Sequence, residues 1–250
     1  CINCIRTMPY ITAWDRTYRD SGLVIIGVHT PEFTFEKDPQ NVTKKIKEYG
    51  IAYPVALDND YATWNAYDNH FWPAKYFIDH EGNIAWRHFG EGAYEESEAK
   101  IQTLLKNAGW LGGSRPTAAA SPNVDFSRIG TPEIYFGHQR LLTVRQRPHF
   151  AQAVLTPGKI NRYAPVLPLR ENTFSLEGDW LMEGEYAQLT SAAGVIAIRY
   201  RANKANLVLQ AQPPATARVR LDGAPLTGDG RGRDVGAGGA ASISEPRLYN

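Results

Sequence analysis

The chain has 250 residues, of which 43% are hydrophobic and 21% charged, and its formal net charge is +1. This length is enough for two domains that each bury a core, and the near-neutral charge argues against a nucleic-acid or anionic-membrane partner. Two cysteines are too few for a disulfide-stabilised scaffold, and no apolar stretch of the sequence is long enough to cross a bilayer.

The chain begins with both of its cysteines, in the segment Cys1-Ile2-Asn3-Cys4. A Cys-x-x-Cys pair at the start of a helix favours a redox centre, because a helix N-terminus stabilises a thiolate. The helical pattern continues to about Arg19, and Pro9 is predicted to bend it. A structural disulfide would constrain so short a loop little, and a zinc site would need further ligands.

Strand and helix signals alternate over the next hundred residues. The continuous apolar run from Leu23 to His29 is typical of a parallel strand that is buried on both faces. Asp38 before Pro39 predicts a capped helix start, and Glu81-Gly82-Asn83 predicts a hairpin turn. We predict strands at 23–29, 53–58, 74–79 and 84–89, and helices at 39–49, 61–67 and 94–108. This order predicts an α/β fold with a mixed central sheet.

Four motifs in this order resemble the redox domain of DipZ-type proteins, which are relatives of the TlpA and ResA group of extracytoplasmic thiol-disulfide oxidoreductases. The motifs are Cys1–Cys4, Val28–Phe33, Leu57–Tyr67 and Trp72–Ala74. The resemblance implies a thioredoxin-like fold lacking its first strand, because in that fold a buried strand comes just before the Cys-x-x-Cys motif. It also implies that the chain is a fragment, with an export signal or membrane anchor upstream.

The resemblance further implies roles for five residues. Cys1 is the exposed nucleophile, Cys4 is the resolving thiol, and Pro73 is the cis-proline that faces the disulfide. Glu32 lies where ResA-like proteins carry an active-site carboxylate that relays the proton of Cys4, although a loop glutamate is commonly just solvated. Trp72 is expected either to line the substrate groove or simply to pack. No metal or organic cofactor is expected.

The segment 111–128 is rich in Gly, Ala, Pro and Ser, which predicts a linker between domains at 1–110 and 129–250. Beyond it, strand-like runs recur between turn signals, and Asp222-Gly223 marks a tight turn. The predicted strands lie at 133–136, 172–176, 184–189, 194–200, 206–210 and 217–221. This pattern favours a β-sandwich of jelly-roll type.

The second half resembles the carbohydrate-binding-module-like domain that follows the redox domain in DipZ-type proteins. Sugar binding would require exposed aromatic side chains on one face, and the candidates are Tyr135, Trp180 and Tyr186. The same residues are also expected in a core or an interface.

The sequence therefore predicts an extracytoplasmic thiol-disulfide oxidoreductase that reduces protein disulfides. The resemblance implies electrons from a CcdA- or DsbD-like membrane partner, as in cytochrome c biogenesis, and a location in the periplasm or on the outer face of the membrane. One alternative is a glycan- or protein-binding module with an accessory thiol pair. The other is a thiol peroxidase, but the Thr or Ser that such sites need shortly before the peroxidatic cysteine does not precede Cys1.

Overall fold

The structure, a computed structural model, describes residues 1–112 and 129–250. By the proximity of its Cα atoms the chain divides into two units. One comprises Cys1–Asn123 with Asn206–Asn250, and the other is Val124–Ala205.

The predicted domain boundaries at 1–110 and 129–250 stay a prediction. Of the predicted linker at 111–128, residues 113–128 lie outside the described residues.

Helices and strands alternate through the first part of the chain, as the sequence predicts. The helices are α1 (Ile2–Tyr18), α2 (Pro39–Glu48), α3 (Ala62–Ala66) and α4 (Tyr94–Asn107), and the strands are β1 (Gly27–His29), β2 (Val55–Leu57), β3 (Ala74–Ile78) and β4 (Ile84–Phe89). Strands β1 and β2 pair in parallel, whereas β3 and β4 form an antiparallel hairpin. The mixed helix and strand content is therefore confirmed. Among the described residues the two strand pairs form separate two-stranded sheets, so the single mixed central sheet that the sequence predicts is not observed there.

Local sequence explains where these elements begin and turn. The Asp38 carboxylate accepts a hydrogen bond from Gln40 N at 2.8 Å, and Pro39 occupies the first position of α2, where its missing N–H has no helical partner to lose. In the β3–β4 turn, the Asp79 carboxylate accepts hydrogen bonds from Glu81 N at 3.0 Å and Asn83 N at 2.8 Å. Both features are as predicted.

Helix α1 is anchored through its C-terminal half. Trp14 and Tyr18 lie four residues apart on one face of α1, and they pack against Ile101 and Leu105, which lie four apart on α4. The Tyr18 hydroxyl also donates to the Glu98 carboxylate at 2.7 Å. Because the buried end of α1 is the far end, its first turn lies at the margin of this core.

The apolar run from Leu23 to His29 is shorter as a strand, and less buried, than predicted. Only Gly27–His29 forms a strand, because β2 is three residues long and supplies partners to those residues alone. Leu23 and Ile25 pack on the α1–α4 core, while Val24 and Ile26 are 78% and 64% exposed. The prediction of a strand buried on both faces is wrong within the described residues, and the absence of a first strand stays a prediction.

In the rest of the described chain, strands are the main regular elements. This part comprises α5 (His138–Leu141), β5 (Ile160–Tyr163), β6 (Thr173–Met182), β7 (Ala187–Leu189), β8 (Val195–Arg199), β9 (Leu207–Leu209), β10 (Ala215–Arg218), β11 (Arg220–Leu221), β12 (Ala224–Pro225), β13 (Ala240–Ile243) and β14 (Arg247–Tyr249). Strand β6 pairs antiparallel with β5, β7 and β8, and its apolar side chains form the core of the second unit. Antiparallel pairs also join β9 to β14, β10 to β13 and β11 to β12.

In this part of the chain one predicted turn is present and one predicted strand is not. Asp222 and Gly223 both have positive φ, 51° and 83°, which confirms the predicted tight turn between β11 and β12. The predicted strand at 133–136 is not a strand, because the Gln146 side-chain amide takes the place of a partner. Its Oε1 accepts from Tyr135 N at 3.3 Å, and its Nε2 donates to Glu133 O at 3.0 Å. The jelly-roll topology stays a prediction.

Candidate active site

The two thiols lie at the first turn of α1. Cys1 is the residue that precedes the helix, Cys4 is one turn further along, and both are partly exposed thiols. The first turn contains no acidic residue. The backbone N–H groups of a helix N-terminus favour a negatively charged sulfur, so this position promotes thiolate formation.

The loop before β3 meets Cys1. Cys1 Sγ lies 3.8 Å from Trp72 O, although the two residues are 71 positions apart in the sequence. The Trp72–Pro73 peptide bond is cis, as the family resemblance implies. The structure thus brings Trp72 and Pro73 next to Cys1, with Cys4 in the same first turn of α1.

The Trp72 side chain is held from two directions. Its Nε1 donates a hydrogen bond to Thr30 O at 3.0 Å, at the end of β1. Its ring lies against the ring of Trp64 from α3, with centroids 4.1 Å apart and planes tilted by 33°. These contacts fix the backbone that carries its carbonyl group, and a place for Trp72 in a substrate groove stays a prediction.

A buried carboxylate supports this arrangement. Asp58 is 5% exposed and accepts hydrogen bonds from Thr30 Oγ1 at 3.0 Å, Thr63 N at 2.8 Å and Trp64 N at 2.9 Å. Burial by itself raises the pKa of Asp58, but these hydrogen bonds outweigh it and leave the pKa below its ordinary value. Asp58 is therefore ionised at neutral pH and ties β1 to α3.

Glu32 lies in the loop after β1 and is half-buried. Its backbone N–H and that of Phe33 donate to the Glu36 carboxylate, at 2.7 Å and 3.2 Å. These bonds explain the conformation of the loop rather than the chemistry of the Glu32 carboxylate. Its role as a proton relay for Cys4 stays a prediction.

A buried lysine links β3 to α4 and α1. Lys75, two residues after Pro73, is 8% exposed, donates from Nζ to Gly92 O at 2.8 Å and lies 5.0 Å from the centre of the Tyr94 ring. The Tyr94 ring stacks on Tyr10 of α1 with centroids 3.5 Å apart. Burial lowers the pKa of Lys75 to about 8.

Sequence reasoning assigned no role to Thr30, Asp58 or Lys75. Asp58 and Thr30 fall within the motifs that carry the family resemblance, and a polar residue at the end of an apolar strand was the available signal. Lys75 interrupts the apolar strand after Pro73, which was a signal of the same kind.

Two negative findings apply to the described residues alone. In residues 1–112 and 129–250, no helix has both the length and the apolar character needed to span a membrane. Over the same ranges, three or more His, Cys, Asp or Glu side chains nowhere come together as a metal-binding group would require.

Two family models together match most of the chain. Residues 1–105 match the Redoxin family model, and residues 131–250 match the model of the thioredoxin like C-terminal domain. The chain carries a Redoxin domain followed by a thioredoxin-like C-terminal domain. Together with the 36% identity to protein DipZ over 91% of this chain, these two domains confirm the predicted relationship to DipZ-type proteins, whereas the carbohydrate-binding-module-like character of the second half stays a prediction.

Individual relatives extend this result. Protein DipZ of Mycobacterium tuberculosis is 36% identical over 228 residues, which cover 91% of this chain and 32% of DipZ. The chain therefore spans about a third of the length of the DipZ proteins that it matches. Thiol-disulfide oxidoreductase YkuV of Bacillus subtilis is 32% identical over 92 residues, which cover 37% of this chain and 60% of YkuV.

Among solved structures, a thioredoxin-like protein in the oxidized form matches with a TM-score of 0.40 and 26% identity, covering 43% of this chain and 72% of that one.

Proposed function

We propose that this chain is a thiol-disulfide oxidoreductase in which Cys1 and Cys4 alternate between dithiol and disulfide. The observation that carries the proposal is the 3.8 Å contact between Cys1 Sγ and Trp72 O, made by a thiol at a helix N-terminus. The Redoxin domain and the similarity to YkuV, which is named for this activity, support it.

The proposed reaction has two exchange steps. The Cys1 thiolate attacks one sulfur of a substrate disulfide, so that a mixed disulfide forms and the other substrate sulfur leaves as a thiolate. The Cys4 thiolate then attacks Cys1 Sγ, which forms the Cys1–Cys4 disulfide and releases the second substrate thiol. Two electrons pass to the substrate, and an external dithiol must return them.

The remaining site residues have proposed roles that follow this sequence of steps. Trp72 and Pro73 line the groove that receives the substrate segment next to the attacked disulfide, which their position beside Cys1 supports. Glu32 takes up the proton that Cys4 loses, which its half-buried location after β1 supports. No step in this scheme uses a metal or organic cofactor.

We also propose a setting for the reaction. The similarity to DipZ over 91% of the chain supports a location outside the cytoplasm, in the periplasm or on the outer face of the membrane, through an anchor outside this sequence. A CcdA- or DsbD-like membrane protein would then supply the electrons, as in cytochrome c biogenesis, and the substrates would be protein disulfides. Membrane fractions that contain such a donor should reduce the Cys1–Cys4 disulfide, and fractions that lack it should not.

For the C-terminal half we propose a sandwich of jelly-roll type that binds a glycan or protein. The antiparallel ladders on β6 support the sandwich. Trp180 is 5% exposed within the core, so it is excluded as a sugar-stacking residue, while Tyr186 is 55% exposed. Binding to a glycan array that is lost in Tyr186→Ala would support this part of the proposal. No binding to any glycan on the array would contradict a glycan ligand.

The redox proposal is tested by insulin reduction with dithiothreitol as electron source. Cys1→Ser should reduce the rate to background, because serine cannot form the mixed disulfide. Reduced Cys4→Ser that is mixed with insulin after removal of dithiothreitol should accumulate a covalent complex with insulin. The two variants differ from the parent by one sulfur each, so each controls for the fold of the other. A Cys1→Ser variant that reduces insulin at the parent's rate would overturn the proposal.

A further inference from the structure

Three contacts lead from a buried carboxylate to the Cys1 thiol. Asp58 Oδ2 accepts from Thr30 Oγ1 at 3.0 Å, Thr30 O accepts from Trp72 Nε1 at 3.0 Å, and Trp72 O lies 3.8 Å from Cys1 Sγ. These residues come from the ends of β1 and β2, the loop before β3 and the start of α1. Asp58 is therefore coupled to the nucleophile although it does not touch it.

A second route joins Asp58 to the Trp72 ring. Helix α3 is preceded by Tyr61, which has a φ of 60° and provides no side-chain cap. The Asp58 carboxylate takes over this task, since it accepts from Thr63 N and Trp64 N at 2.8 Å and 2.9 Å. The start of α3 in turn positions the Trp64 ring, which lies against Trp72.

The hydrogen bonds between these groups are buried. Asp58 is 5% exposed and Thr30 is 7% exposed, so water competes little for their hydrogen bonds. An ionised carboxylate makes stronger hydrogen bonds than a neutral acceptor, and here one carboxylate satisfies three donors. Loss of the carboxylate would leave buried donors without an acceptor. It would also weaken the support that Thr30 and Trp64 both give to Trp72.

We propose that Asp58 is a positioning residue for disulfide exchange, which holds the Trp72 carbonyl on the Cys1 thiol through Thr30 and Trp64. This inference rests on the proposed function. The carbonyl oxygen accepts a hydrogen bond from the neutral thiol and repels the thiolate, so its contact opposes the effect of the helix N-terminus. Asp58 thereby determines both the groove next to Cys1 and the ease with which Cys1 loses its proton.

The test measures the alkylation rate of Cys1 by iodoacetamide as a function of pH, in a Cys4→Ser background. Asp58→Ala and Thr30→Val should each shift the midpoint of this profile downwards by about half a pH unit, because a displaced Trp72 carbonyl no longer favours the thiol. Thr30→Ser, which keeps the hydroxyl that Asp58 binds, should retain the parent profile. With both thiols present, Asp58→Ala and Thr30→Val should raise KM for insulin about tenfold, with a smaller change in kcat.

Asp79→Ala is the matched control. Asp79 also accepts two backbone N–H bonds in a turn, at the far end of β3, so its loss reports on general destabilisation. Parent-like midpoints and KM values in a folded Asp58→Ala and a folded Thr30→Val would overturn the inference. If Asp58→Ala does not fold, the comparison of Thr30→Val with Thr30→Ser decides it. The alkylation profile needs no turnover, so it remains readable even if the parent fails to reduce insulin and the proposed function is wrong.

Discussion

Strands β1 and β6 differ in how completely their apolar side chains are covered. Strand β6 pairs with β5, β7 and β8, and Phe174 and Leu176 are both 0% exposed. Strand β1 pairs with β2 alone among the described residues, and its Val28 is 44% exposed. Val28, Phe174 and Leu176 are all apolar, so residue type does not account for the difference.

The groups that pack on the faces of the two strands account for it. Side chains stand on the faces of a sheet, so groups packed on a face bury them, whereas a neighbouring strand pairs with an edge. Phe136 and Phe150 pack on Phe174 of β6, whereas Val28 of β1 stays 44% exposed.

The thiols lie in the less covered part of the molecule, where polar contacts from Asp58, Thr30 and Trp72 hold the site. We expect the core around β6 to contribute to the free energy of unfolding, and the contacts around Cys1 to hold the Trp72 carbonyl next to the thiol.

The largest change in unfolding free energy is expected in the core around β6. Phe174→Ala should cost about 3–5 kcal/mol of unfolding free energy, because it removes a ring that packs on Phe136 and Phe150 and leaves a cavity. Native-state hydrogen exchange should accelerate over 173–182. Val195→Ala, at a side chain that is 48% exposed, should cost less than about 1 kcal/mol. If hydrogen exchange in Phe174→Ala accelerates equally over 74–89, the two regions unfold as a single cooperative core. That result would contradict the difference between them.

A smaller effect is expected at Lys75. Its folded pKa of about 8 lies below that of an exposed lysine, about 10.4, so the unfolded chain binds more protons between these pH values. The free energy of unfolding should therefore rise with pH across this window, by about 1–2 kcal/mol between pH 7.5 and 9.5 relative to Lys75→Met. Urea titrations at both pH values measure it.

Lys106→Met controls for the loss of a lysine charge, because Lys106 is exposed on α4. Parallel pH dependence in the parent and in Lys75→Met would contradict the burial of this ammonium group in solution.

The smallest effect is expected at the exposed face before β1. Val24→Thr should change the free energy of unfolding by less than about 0.5 kcal/mol, because Val24 is 78% exposed. The same substitution at Val42, which is 9% exposed on α2, should cost about 1–2 kcal/mol because it buries a hydroxyl. A cost at Val24 equal to that at Val42 would break the contrast, by showing that this face is covered in solution.

Features encoded by neighbouring residues were predictable from the sequence. The capped start of α2 follows from Asp38 and Pro39, and the β11–β12 turn follows from Asp222-Gly223, since each depends on backbone conformation within a few residues. The segment 133–136 shows the limit of such reasoning. Its β-like composition was outweighed by Gln146, a partner that no local pattern identifies.

The sequence alone determined the thiol pair at the start of a helix, the proline that follows Trp72 and the alternation of helices with strands, because each is encoded in short stretches of chain. Only the tertiary structure decided that the Trp72 carbonyl lies beside Cys1, and that Thr30 and Asp58 hold it there. The physical reason is distance along the chain. Cys1 and Trp72 are 71 residues apart, so their contact exists only when the strands and helices between them have packed.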